Sequence, residues 1–200
     1  MGTWKTRGLR GSGLEELLNV SNDIYKNAGI ALIQKIPTPI TPVNIEQESR
    51  HITLAYFAAK STVDYIGVVQ GIPVCFDAKE CAEDTFPLQN IHEHQVKFMK
   101  DFEGQDGIAF LLIFFSSRHE FYYMTFREMM KFWTRWEDGG RRSFRITELD
   151  PRFFMEEKQH LLPILDGIQR DLSDREPDSA PESEALAFSG IGIRTDFVRS

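Results

Sequence analysis

The spacing of apolar residues predicts that the chain opens with a helix followed by a strand. A helix over about residues 12–28 is predicted by the helical spacing of Leu14, Leu17, Leu18, Ser21, Ile24 and Tyr25. The apolar segment 30–36 then predicts a strand. The chain therefore begins as a packed domain from about residue 12 onward.

Three prolines interrupt this pattern directly after the first predicted strand. Pro37, Pro39 and Pro42 exclude a helix and a central strand, because proline cannot donate a backbone hydrogen bond. The residues that follow, to about Arg50, are polar without a clear period. We therefore expect the chain to leave the core here.

The middle of the chain alternates strand and helix patterns. Two apolar segments, 63–69 and 74–79, are joined by the loop-like residues 70–73 and predict a hairpin. A helix is predicted over 92–103, and the apolar run 108–115 predicts a strand covered on both faces. The remaining predictions are a strand over 121–125, a helix over 126–136, a weaker helix over 156–172 and a disordered segment over 173–184. This order predicts an α/β fold.

The distribution of charge changes what the net charge implies. The 200 residues carry a net charge of −7, which by itself argues against a nucleic-acid partner. Between Glu148 and Glu184, however, eleven acidic and four basic residues account for this whole excess. Residues 1–11 form a basic arm with Lys5, Arg7 and Arg10.

Cysteine content and hydropathy favour a cytoplasmic protein without a membrane segment. The two cysteines, Cys75 and Cys81, are too few for a disulfide framework, and no secretory signal is present. The longest apolar run, 108–115, is far shorter than the roughly 20 residues that span a bilayer.

Three charged residues in the predicted hairpin form a candidate catalytic group. Asp77 and Lys79 are two residues apart on one strand and share a face, and hairpin pairing would bring Asp64 close to them. Two neighbouring carboxylates repel each other unless a proton or a cation intervenes, and oxygen ligands favour Mg²⁺ or Mn²⁺. This group suits metal-dependent phosphodiester hydrolysis, with the lysine beside the attacking water. The alternative is a turn cap and an edge-strand ion pair without catalysis.

Four sequence strings together resemble the bacterial RecU Holliday junction resolvases over about residues 12–148. They are Lys35-Ile36-Pro37-Thr38-Pro39, Ser61-Thr62-Val63-Asp64-Tyr65, Phe76-Asp77-Ala78-Lys79-Glu80 and Phe86-Pro87-Leu88-Gln89-Asn90-Ile91-His92 with His94-Gln95. The resemblance implies a restriction-endonuclease-like fold, in which helices flank a mixed central sheet and a stalk protrudes at about 37–61. It also implies a homodimer that nicks four-way junction DNA during recombination and repair, with a recombinase or branch-migration helicase as a further partner.

The same resemblance assigns roles to individual residues. It implies metal-site residues at Thr62, Asp64, Asp77 and Gln95, with Mg²⁺ as the cofactor and Mn²⁺ as a substitute, and a catalytic lysine at Lys79. Glu15 matches a first-helix glutamate that would support the site, although a surface glutamate near a helix N-terminus is an equal alternative. Gln95 by itself is also typical of a solvated helix residue.

Candidate DNA contacts lie outside the catalytic group. They are Lys5, Arg7, Arg10, Lys35, Phe57, Arg141 and Arg142. The sequence departs from the family at Asp77, where a glutamate is expected, and in a stalk less basic than expected. Residues 149–200 form an acidic extension that does not align, except for a predicted final strand at 191–198.

Two other functions remain open at this point. One is a branched-DNA-binding partner of a recombinase that has no catalytic activity. The other is an endonuclease of the same fold that acts on linear duplex DNA.

Overall fold

The computed structural model describes residues 12–46, 49, 51–57 and 62–175. The four α-helices in these residues are α1 Ser12–Asn27, α2 Glu93–Glu103, α3 Phe126–Glu137 and α4 Ile164–Ser173. The ten strands are β1 Ala31–Lys35, β2 Ile40–Ile45, β3 Ile52–Phe57, β4 Tyr65–Val69, β5 Ile72–Cys81, β6 Thr85–Pro87, β7 Ile108–Phe115, β8 Glu120–Thr125, β9 Ser143–Arg145 and β10 Phe154–Met155. The predicted α/β order is confirmed.

A six-stranded mixed sheet forms the centre of the fold, in the order β1-β4-β5-β7-β8-β10. All neighbouring pairs are antiparallel except β5 and β7, which run parallel and are connected through α2. Strand β7 is buried along nearly its whole length, as its uninterrupted apolar run predicts. The expected mixed central sheet flanked by helices is therefore confirmed.

The helices cover both faces of this sheet. Gln95 of α2 bonds to Asp77 on one face, and Tyr122 on the same face bonds to Glu128 of α3. Tyr123 points to the opposite face, where it packs against Gly167 of α4. Helix α1 lies on this second face as well, since its residue Ser21 bonds to the backbone just before α4.

The hairpin between β4 and β5 is tighter than predicted. Its turn consists only of Gln70 and Gly71, both with positive φ (48° and 90°), as in a type I′ hairpin turn. Ile72 and Pro73, which were expected in the loop, are the first residues of β5. Proline is tolerated there because β5 pairs with β7 only from Val74 onward.

The predicted excursion after the first strand has regular structure of its own. Strands β2 and β3 form a separate two-stranded antiparallel sheet, where the sequence predicted only an irregular polar segment. Pro42 fits because both strands of a two-stranded sheet are edge strands, and the register shifts directly after it. Ile40, Val43, Leu54 and Tyr56 remain exposed.

The boundary predicted after residue 148 is wrong, because residues 149–175 belong to the same core. Strand β10 is the sixth strand of the sheet. The backbone N–H of Leu162 donates to Ser21 Oγ (2.9 Å), and Tyr25 OH donates to the Leu162 carbonyl (2.8 Å). Helix α4 is shorter than the predicted helix over 156–172 and begins only at Ile164.

Three acidic residues of this region, Asp150, Asp171 and Asp174, are paired with arginines, which a count of charges does not reveal. Asp171 is fully buried and accepts hydrogen bonds from Tyr123, Arg127 and Arg175. Asp174 pairs with Arg152 (2.9 Å). The predicted strand at 191–198 and the rest of the predicted disordered segment, 176–184, lie outside the described residues. No helix in the described part of the chain is long and apolar enough to span a membrane.

Candidate active site

The β4–β5 hairpin holds the two predicted carboxylates against each other. Tyr65 pairs with Phe76, so Asp64, immediately before β4, lies opposite Asp77. The backbone N–H of Asp64 donates to Asp77 Oδ1 (2.9 Å), and that of Ala78 donates to Asp64 Oδ2 (3.1 Å). The two side chains converge as the strand register predicted, and backbone hydrogen bonds fix both.

Lys79 and Gln95 complete the cluster from two different elements. The Lys79 ammonium forms an ion pair with Asp77 Oδ2. Gln95 Nε2 donates to the same oxygen (2.8 Å), while Gln95 Oε1 faces Lys79 Nζ (3.4 Å) and accepts from the His92 backbone N–H (3.1 Å). Gln95 is therefore a bridge between the carboxylate and the ammonium.

The position of Gln95 follows from the start of α2. His92 is the N-cap, and Gln95, three residues later, reaches back to its backbone N–H in a capping box. Gln95 is 5% exposed, so the alternative of a solvated helix residue is wrong. The edge-strand alternative for Asp77 and Lys79 is wrong as well, because β5 lies between β4 and β7.

Burial gives Asp77 an unusual acidity. The side chain is 0% exposed, and this desolvation raises the pKa of Asp77 to about 7. The Lys79 ammonium lowers the pKa, and the neighbouring Asp64 carboxylate raises it further. A cation close to Asp64 and Asp77 would therefore relieve an unfavourable buried charge.

The oxygen donors of the cluster fit Mg²⁺ or Mn²⁺. Within the described residues no group of three or more His, Cys, Asp and Glu side chains is suited to a metal. Mg²⁺ nevertheless commonly takes only one or two carboxylates and completes its shell with water and substrate phosphates. No N–H group among the described residues donates to Asp64 Oδ1, so this oxygen can bind a metal ion beside Asp77.

The other two predicted metal-site residues, Gln95 and Thr62, differ from the two aspartates. The side-chain oxygen of Gln95, Oε1, already accepts hydrogen bonds from the His92 backbone N–H and from Lys79. Thr62 lies two residues before Asp64 and is half-buried, without a hydrogen bond to the other cluster residues. Metal ligation by Thr62 and Gln95 stays a prediction.

A cleft of about 140 Å³ opens beside Asp64, and Glu15 and Lys35 line it. Their side chains form an ion pair, with 2.5 Å between Lys35 Nζ and Glu15 Oε1. Glu80 lines the same cleft and was not predicted, because strand alternation places it on the face opposite Lys79. Both predicted residues, Glu15 and Lys35, thus share a cleft with Asp64, whereas Asp77, Lys79 and Gln95 do not line it.

The other predicted DNA contacts are dispersed. The Arg141 guanidinium pairs with Glu148 (2.9 Å), and that of Arg142 lies 5.5 Å from the centre of the Trp136 ring. Glu148, which was not predicted, also pairs with Arg135, so this surface is less basic than its arginines suggest. Phe57 is the last residue of β3. Lys5, Arg7 and Arg10 lie outside the described residues.

The chain is similar to known proteins over most of its length. A model of the family described as Recombination protein U (RecU) matches residues 9–170. The Holliday junction resolvase RecU of Pediococcus pentosaceus is 40% identical over 169 residues, which cover 82% of this chain and 84% of that protein. The protein of the same name from Levilactobacillus brevis is 43% identical over 172 residues, covering 83% and 86%.

Two further proteins differ in how similar they are to this chain. The Holliday junction resolvase RecU of Staphylococcus aureus is 42% identical over 146 residues, covering 71% of this chain and 70% of that protein. A solved structure of Hjc, a Holliday junction resolvase from Archaeoglobus fulgidus, aligns at 9% identity and a TM-score of 0.35, covering 56% of this chain and 77% of that chain. The family match to residue 170 agrees with the packing of β10 and α4 into the core.

Proposed function

The chain belongs to the RecU family, and we propose from this that it is a Holliday junction resolvase. It would nick four-way DNA junctions symmetrically, with Mg²⁺ or Mn²⁺ as cofactor, during recombination and repair. The observation that carries the proposal is the buried Asp77 carboxylate, bound by Lys79 and Gln95 and placed against Asp64.

Each residue of the cluster has a distinct role in this proposal. Asp64 and Asp77 would hold the metal ion, which when bound supplies Lewis-acid neutralisation of charge on the scissile phosphate. Lys79 places its ammonium beside these carboxylates, where it can orient the attacking water and offset charge on the phosphate. Gln95 fixes both Asp77 and Lys79 through its two amide atoms.

DNA would reach the cluster through the cleft beside Asp64. Lys35 is the cation of this cleft, and its partner Glu15 holds the ammonium close to Asp64. Arg142 keeps its guanidinium free of carboxylate partners within the described residues and is the better phosphate contact of the 141–142 pair. The aromatic Phe57, on the two-stranded stalk, would meet the centre of the junction.

We also propose that the protein acts as a homodimer, since two nicks on symmetry-related strands suit a two-fold enzyme. Leu32 on the edge strand β1 and its cross-strand neighbour Val68 on β4 are both exposed, and an exposed apolar pair beside a sheet edge is a candidate interface. In a sedimentation measurement, Leu32→Lys should give monomers. The control Ile24→Lys, on α1, should leave the dimer intact.

The two free, buried cysteines support a reducing, cytoplasmic location. A recombinase or a branch-migration helicase would be the further partner in that setting.

One cleavage experiment separates the three candidate functions. A mobile four-way junction and a linear duplex of the same sequence are incubated with the protein, first with Mg²⁺ and then with EDTA. A resolvase should nick the junction symmetrically, only with Mg²⁺, and spare the duplex. A non-catalytic junction-binding protein would bind without nicking, and a duplex endonuclease would cleave both substrates.

The variant Asp77→Asn tests the site itself. It should abolish nicking and leave junction binding unchanged, because the carboxylate acts on the metal and not on the DNA backbone. The control Asp101→Asn removes an exposed carboxylate paired with Lys97 on α2 and should nick as the parent does. Nicking that survives Asp77→Asn in a preparation free of contaminating nuclease would refute the assignment.

A further inference from the structure

An apolar groove runs along α1 on the face of the sheet opposite Asp77. It encloses about 530 Å³ and is lined by Leu17 and Val20 of α1 and by Phe114 and Phe121 of β7 and β8. Val20 is 40% exposed, so the wall of the groove presents apolar surface to solvent. Within the described residues nothing fills this groove.

The groove lies where the N-terminal arm joins the folded domain. Gly13 lines it, and Ser12 is the first residue of α1. The arm, residues 1–11, contains one aromatic residue, Trp4, which is nine residues before Gly13 and can reach roughly 30 Å from it. An indole is large enough to occupy such a groove, since aromatic side chains bury about 150–250 Å² each.

Charge also matches the arm to the groove. Glu16 and Glu157 line the groove together with two histidines, His119 and His160. The arm carries Lys5, Arg7 and Arg10 and no acidic residue. The carboxylates of the groove would therefore attract the arm.

The residues that follow Arg175 are a poorer occupant because of their charge. Residues 176–184 carry four acidic residues and no basic one, so Glu16 and Glu157 would repel them.

We propose that Trp4 seats in the α1 groove and anchors the N-terminal arm there. The groove and the Asp64 cleft share a wall residue, Leu14, so a seated arm holds Lys5, Arg7 and Arg10 beside the cleft. Trp4 is thus a positioning residue for the cations of the arm. The use of those cations for junction DNA rests on the proposed function, whereas the seating of Trp4 does not.

The seating can be measured without DNA or metal. The full-length protein is labelled with 5-fluorotryptophan, and its three tryptophan ¹⁹F resonances are recorded, with that of Trp4 assigned by Trp4→Phe. Val20→Lys places a cation inside the groove. Ile24→Lys is the matched control, because Ile24 lies one turn along α1, is also 40% exposed and does not line the groove.

The proposal expects the Trp4 resonance of the parent protein to show little H₂O/D₂O solvent shift. Val20→Lys should move this resonance to a solvent-exposed position, and Ile24→Lys should leave it in place, with the other two resonances reporting an intact fold in both variants. A solvent-exposed Trp4 in the parent, or equal effects of the two variants, would overturn the proposal. A resonance that changes with protein concentration would also overturn it, because the groove would then be filled by a second copy.

A binding experiment then tests the consequence for DNA. Val20→Lys should bind a four-way junction several-fold more weakly than Ile24→Lys and nick at the same rate when saturated with junction. Equal junction affinities of the two variants would refute the positioning role. If the parent protein neither binds nor nicks junctions, the proposed function fails while the ¹⁹F result stands.

Discussion

Asp77→Asn should make the metal-free protein more stable at alkaline pH, although it removes a residue of the candidate active site. Asp77 is fully buried, and burial raises its pKa from the ordinary 3.8 to about 7. Because the folded-state pKa is the higher one, the folded protein favours the protonated form. The free energy of unfolding of the parent protein should therefore fall as the pH rises from about 4 to 7 and then level off.

The magnitude follows from this shift and from the hydrogen bonds of the side chain. Each pKa unit corresponds to 1.36 kcal/mol, so ionised Asp77 lowers the stability by about 4 kcal/mol above pH 7. Asparagine carries no charge, but its NH₂ group must face a donor, since both Asp77 oxygens accept hydrogen bonds. That conflict costs about 1–3 kcal/mol. The variant should gain about 1–3 kcal/mol at pH 8 and nothing at pH 5.

Urea unfolding in EDTA at pH 8 and pH 5 checks the sign and the size. The control is Asp101→Asn, which should change stability by less than about 1 kcal/mol at either pH because its ion pair is exposed. Saturating Mg²⁺, at about 100 times its Kd, should add about 2.7 kcal/mol to the parent at pH 8 and nothing to Asp77→Asn. A variant that is destabilised equally at both pH values, or that Mg²⁺ stabilises as it does the parent, would refute the reasoning.

Three further changes test other parts of the structure. Lys79→Gln should lower the nicking rate about 10²- to 10³-fold at unchanged junction affinity, as measured in single-turnover assays; an unchanged rate would exclude Lys79 from the reaction. Gly167→Ala should lower stability by about 1–3 kcal/mol in urea unfolding, because its Cβ would lie 2.5 Å from the buried Tyr123 ring, whereas Gly13→Ala meets nothing within 4 Å and should not destabilise. A chain that ends at residue 148 should fail to unfold cooperatively, while one that ends at residue 175 should behave as the full chain does; cooperative unfolding of the shorter chain would restore the predicted boundary.

Local patterns were sufficient to predict most of the elements around the site. The helical spacing in α1 and the apolar run of β7 lie within single segments, so the sequence specifies them without tertiary information. Strand alternation and hairpin register likewise predicted that Asp64 and Asp77 would meet. In each of these cases the interacting positions are close in sequence, or are linked by a short turn.

The missed features depend on partners that are distant in sequence. Asp171 is buried because Arg127 and Tyr123 reach it from α3 and β8, and no local pattern distinguishes it from the exposed acidic residues that follow. Charge counting therefore predicted an acidic extension where the structure has a packed helix. Glu148 is a similar case, since its pairing with Arg135 and Arg141 reduces the positive charge of a surface that appears basic in the sequence.

The sequence predicts which residue types form the site, but it does not predict which partner each carboxylate oxygen binds. Both oxygens of Asp77 are engaged, one by the Asp64 backbone N–H and the other by Gln95 and Lys79. Asp64 Oδ1 has no such partner in the described part of the chain, so the open coordination site of the pair belongs to Asp64. The aspartate at position 77, where the family resemblance expects a glutamate, is consistent with this division, because its short side chain keeps the carboxylate within reach of the Asp64 backbone. In the proposed metal site, Asp77 would therefore supply the buried negative charge that favours a cation, and Asp64 would offer the oxygen that is open to it.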